Sequence, residues 1–172
     1  MTGSLSERAP ALRHTGRQPT TCTFSLKRRL KLRHIMTARI YITRPIDDLD
    51  RSIIYDFVER ARRDFSSPRF EVIDPMTIGD IDQRDDNSYD NVVDQQLQLL
   101  RTCDVVLVDL SIPNHTYIGC VAELVYAHIW QLNTVVYVGS NKIFHRPWLR
   151  YHADHVAADW DGVVQWIHDR LH

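Results

Sequence analysis

Short apolar runs alternate with segments of helical period along most of this chain, and that alternation limits the fold more than any other feature. Ile40–Thr43, Phe70–Ile73, Val105–Leu110 and Thr134–Val138 are rich in β-branched and aromatic residues, so each reads as a strand. His155–Ala157 offers a short fifth. Between them, Leu49–Phe65 carries Ile53, Ile54, Phe57, Val58 and Ala61 at helical spacing. Tyr89–Arg101 carries Val93, Leu97 and Leu100 on one side, with Val92, Gln96 and Leu99 beside them. Ala122–Gln131 and Asp161–Leu171 read as two further helices, and His145–Tyr151 as irregular chain or a short helical turn. Residues 76–88 are polar and acid-rich, hence a loop or lid. Strands separated by helices need crossover connections, which make a parallel sheet with both faces covered.

The expected architecture is therefore a single α/β domain over residues 36–172. It has three α/β/α layers around a mainly parallel sheet of four to five strands, flavodoxin- or Rossmann-like. At 172 residues the chain can bury a substantial core. No apolar run approaches the roughly 20 residues that span a bilayer. Cys22, Cys103 and Cys120 are odd in number and show no metal spacing, which suits a reducing, cytoplasmic setting and small core roles for Cys103 and Cys120. Charge is uneven. Residues 1–35 hold eight Lys/Arg against one acid, while the remainder holds 13 bases against 21 acids. An acidic body argues against a nucleic-acid duplex as partner. The basic segment 1–35 fits an upstream extension of a protein that starts at Met36 better than it fits an organellar transit peptide or a basic binding tail.

The chemistry concentrates after the third strand. Gly119-Cys120-Val121-Ala122-Glu123 sets one carboxylate among apolar neighbours at the start of a helix, beside the carboxyl end of a buried strand. Ligands of open α/β sheets bind at that edge. Such a carboxylate either complements the helix dipole or is poorly solvated and available for reaction. Other signals are missing: there is no G-x-G-x-x-G, no P-loop and no nucleophile elbow. His152 and His155 form an H-x-x-H pair without companion cysteines, so neither a metal nor another cofactor is expected.

Asp104-Val105-Val106-Leu107-Val108-Asp109-Leu110-Ser111-x-Pro113-Asn114, then Gly119-x-x-x-Glu123-Leu124-x-Tyr126-Ala127, then Val135-Val136-Tyr137-Val138, resembles the nucleoside 2-deoxyribosyltransferase family, which includes nucleoside 5′-monophosphate N-glycosidases. The first strand and its Pro turn also fit, so the likeness covers roughly residues 38–140. The resemblance implies that Glu123 attacks the anomeric carbon of a nucleoside or nucleotide, releases the base and forms a glycosyl ester, which a second base or water then resolves. It places Tyr41 against base or sugar, Ser111 and Asn114 on sugar hydroxyls or a 5′-phosphate, and Arg44 on a phosphate or carboxylate. It brings Asp109, Tyr117 and Gly119 to the substrate pocket as well. A homodimer or higher homo-oligomer is also implied, and the aromatic tail (Trp148, Tyr151, Trp160, Trp166) is compatible with one.

The chain departs from the family in three places. Gln96 stands where a helical aspartate is usual; an amide binds a base without protonating it. Asp94 is the nearest carboxylate on that helix, about 200° round its axis. Tyr117 replaces an acid six residues before Glu123, and Arg44 replaces a glycine before Pro45. Two other readings stay open: a non-catalytic nucleotide-sensing module, and a glycosidase acting on NAD or a modified nucleotide.

Overall fold

The computed structural model describes residues 37–77 and 89–171. The basic segment 1–35, and 78–88 of the acid-rich loop, lie outside the described residues. Strands β1 (Ala38–Thr43), β2 (Phe70–Ile73), β3 (Val105–Asp109), β4 (Asn133–Tyr137) and β5 (His155–Ala157) alternate with helices α1 (Arg51–Asp64), α2 (Tyr89–Arg101), α3 (Ile118–Ile129), α4 (Pro147–His152) and α5 (Trp160–Arg170). A 3₁₀ turn, Pro75–Thr77, follows β2. All pairings are parallel and the strand order is β2-β1-β3-β4-β5. This is the doubly wound order whose crevice opens between β1 and β3.

Side chains alternate across each strand, so one sequence feeds two cores. Ile40, Ile42, Val105, Leu107 and Val135 pack with Val58, Val163 and Ile167 of α1 and α5. Tyr41, Val106, Val108 and Val136 pack with Leu100, Leu124 and Ala127 of α2 and α3. Every residue of β3 is buried, which explains its unbroken apolar run. Cys103 and Cys120 are buried free thiols. No helix among the described residues is long and apolar enough to cross a membrane.

Most boundaries fall within two residues of expectation. Helix α3 is the exception: it starts at Ile118, four residues before the expected Ala122. Tyr117 caps it without a side-chain hydrogen bond, so no Ser, Thr, Asp or Asn marks the start. It ends before Gln131, whose φ of 58° is left-handed. Glu123 thus lies in the second turn of α3. By contrast, Asp159 caps α5 by accepting from Gly162 N at 2.8 Å, and Pro147 opens α4, where sequence suggested at most a short turn. Gly139, at φ +52°, closes the turn after β4; a Cβ there would stand 3.0 Å from Ser111 Cβ. That close approach ties the loop after β4 to the loop after β3.

Candidate active site

A cavity of about 330 Å³ opens at the carboxyl end of β1, walled by the turn after β2 and by helices α2 and α3. The polar residues on its wall are Thr43, Arg44, Asp47, Gln96, Thr116, Tyr117 and Glu123, with Gly119 at the first turn of α3. Strand β1 and helix α3 meet at Glu123. The Tyr41 hydroxyl donates to Glu123 Oε1 at 2.6 Å. Tyr41 is wholly buried behind the carboxylate, and both burial and the Glu123 charge push its phenol far above the ordinary range. Thr43, two residues on, shares that side of the strand and is 2% exposed.

Burial raises the Glu123 carboxyl above its usual range. Hydrogen bonds from the Thr43 and Tyr41 hydroxyls oppose that rise, and burial prevails. The group is therefore a poorly solvated carboxylate, held by two hydroxyls and facing an open cavity. Cys120, one turn earlier on α3, also lines the cavity, but burial raises its thiol to about 12 and keeps it inert.

The other expected residues divide. Gln96 is half-buried and lines the cavity; Asp94 is exposed and is absent from its wall, as its rotation about α2 requires. Tyr117 lines the cavity and donates to the Ile112 carbonyl. Burial, helped by the Asp109 charge, lifts its phenol to about 12, which makes it a poor acid near neutrality. Arg44 lines the cavity, yet its terminal nitrogens grip Asp74 at 2.9 and 3.1 Å, with both side chains almost fully buried. The carboxylate that Arg44 meets here is the protein's own. Asp109, Ser111 and Asn114 lie outside the cavity wall. Asp109 Oδ1 accepts from Ser111 N at 2.9 Å, burial raises its carboxyl, and Asn114 adopts a left-handed φ of 58° in an exposed turn. A Cβ on Gly119 would meet no atom within 4 Å, so steric demand does not explain that glycine.

Sequence reasoning missed Thr43, Asp47 and Met76, all on the cavity wall. Thr43 alone carried a signal, its i+2 relation to Tyr41. His152 and His155 go to separate partners: His152 Nδ1 meets the Trp148 carbonyl at 2.8 Å, and His155 stacks on Trp166.

No family model and no curated protein sequence matches the chain. Solved structures do. The 2-deoxyribosyltransferase of the psychrotolerant bacterium Bacillus psychrosaccharolyticus superposes with a TM-score of 0.63 at 15% identity, over 78% of this chain and 96% of that one. A conserved protein from Enterococcus faecalis V583 gives 0.59 at 13% identity, over 78% and 99%. CMP N-glycosidase BcmB of Clostridium botulinum gives 0.49 at 10% identity, over 76% and 97%. The match with the transferase spans nearly all of that chain. In fold, the chain is nucleoside 2-deoxyribosyltransferase-like.

Proposed function

We propose that the protein cleaves or transfers the N-glycosidic bond of a nucleoside or nucleoside monophosphate, with Glu123 as nucleophile. The supporting observation is the desolvated Glu123 carboxylate, fixed by the 2.6 Å bond from Tyr41 and set in a cavity wall. A volume of about 330 Å³ lies in the range of small-ligand pockets. Ionised Glu123 attacks C1′ through an oxocarbenium-like transition state. The C1′–N bond breaks, its electron pair leaves with the base, and a glycosyl ester remains. Water or a second base then attacks C1′ and returns the carboxylate. Tyr41 holds Oε1 and so fixes the direction of attack. Gln96 hydrogen-bonds the departing base, which takes its proton from solvent.

Free base released from a panel of deoxynucleosides and nucleotides tests this reading. Release by the wild type that Glu123→Ala abolishes supports it; release unchanged in that variant assigns the nucleophile elsewhere. Gln96 favours a second reading, a binding module, since an amide transfers no proton. Ligand-induced thermal stabilisation without any turnover is its signature.

We further propose a homo-oligomer joined through the outer side of α3. Ile118 and Ile129 are 78% and 63% exposed there, and Tyr126 and Val93 are exposed at the cavity rim. Trp160 is core, so the tail contributes less to such a surface than its composition suggests. Solution mass decides the point. The two buried free thiols agree with a reducing, cytoplasmic setting.

A further inference from the structure

A second cavity, of about 200 Å³, lies on the other side of α3, between that helix and α4. Its walls are almost wholly apolar: Leu110, Leu124, Val125, Ile143 and Leu149 form most of them. Water in such a space finds few hydrogen-bond partners, and apolar cavities of about 150 Å³ take up a benzene-sized ring. One wall is flat. The Trp148 ring, 77% exposed, stacks on His152 with centroids 5.1 Å apart and planes 7° from parallel. His152 is 7% exposed; its Nδ1 donates to the Trp148 carbonyl, which locks the ring and leaves Nε2 as its other polar atom.

Charge completes the pattern. Arg146 lines the cavity with the carbons of its side chain, is exposed, and forms no ion pair with any described residue. Lys142 and Arg150 flank it in sequence, and no acid occurs between residues 142 and 153. This basic, aromatic stretch stands out on a body that carries more acids than bases. We propose that the second cavity binds a small planar aromatic carboxylate. The ring enters the apolar space against Trp148, and the carboxylate stays at the solvent mouth, within reach of the exposed Arg146 guanidinium. The site shares Tyr117 with the first cavity but none of the residues assigned to the bond-breaking step, so it stands independently of the proposed reaction.

Indole-3-carboxylate is the probe, and the indole N–H resonances of the four tryptophans are the readout. The expected result is saturable binding with a Kd on the order of 0.1–1 mM, shifting Trp148 most. Arg146→Glu, at an exposed position, weakens binding about tenfold. Val121→Trp, on the half-exposed lip of the cavity, blocks it, while neutral indole binds wild type and Arg146→Glu alike. No saturable shift at Trp148 overturns the proposal. So does carboxylate binding that is equal in wild type, Arg146→Glu and Val121→Trp.

Discussion

The two faces of the sheet use the same strands for opposite ends. On the α1/α5 face, Ile40 and Ile42 of β1 enter a closed apolar core. On the α2/α3 face, Tyr41 and Thr43 of that strand approach an acid and an open cavity. Alternation along six residues separates structure from chemistry. The first face lowers the free energy of folding; the second gives some of it up by holding a carboxylate away from water. Substitutions on the two faces should therefore separate activity from stability.

The largest expected contrast is between Glu123→Gln and Leu107→Ala. Glu123→Gln lowers base release by a factor of about 10³ or more, since among the described residues no other carboxylate is held by the Tyr41 and Thr43 hydroxyls. It leaves the fold intact. Leu107→Ala, in the closed core, costs about 2–5 kcal/mol in chemical denaturation and leaves the activity of the folded fraction unchanged. Arg44→Ala comes next. It strands the Asp74 carboxylate in a buried site and costs about 3–5 kcal/mol, even though it sits on the functional side. Loss of activity with no loss of stability would instead make Arg44 a substrate contact.

Tyr41→Phe sharpens the comparison further. It removes a donor to Glu123 while keeping the ring in the core, so kcat falls about 10- to 100-fold and the carboxyl rises further. The pH profile reports the same group. Glu123 reacts only when ionised, and its folded-state pKa is raised. Activity is thus lost on acidification at a higher pH than an ordinary glutamate requires. Stability runs the other way. The folded state prefers the protonated form, so the penalty is absent below the unfolded-state value and grows as pH rises through the folded one. Glu123→Gln removes it. The variant therefore gains Tm relative to wild type near neutral pH, and the gain shrinks toward pH 4. A gain that is flat with pH would mean that Glu123 is not desolvated.

The helices were legible from the 3.6 period in Val58–Ala61 and Leu97–Leu100, and the central strand from its unbroken apolar run, Val105–Val108. The rotation of Asp94 away from Gln96 was legible for the same geometric reason. The early start of α3 was not, because Tyr117 caps it without the side-chain bond that marks other helix starts. The Arg44–Asp74 pair was also hidden. Its members lie 30 residues apart and meet only because β1 and β2 are neighbours with aligned carboxyl ends. Thr43 read as an ordinary β-branched strand residue; only the position of α3 gives its hydroxyl a carboxylate to meet.

The most direct test of the nucleophile is a covalent trap. A 2-fluoro-2-deoxynucleoside slows breakdown of the glycosyl ester, so the adduct accumulates. Mass spectrometry after proteolysis should place the added sugar on the peptide containing Glu123, with none on the Glu123→Gln protein. Base release without any adduct, or an adduct mapped to another residue, would contradict the account.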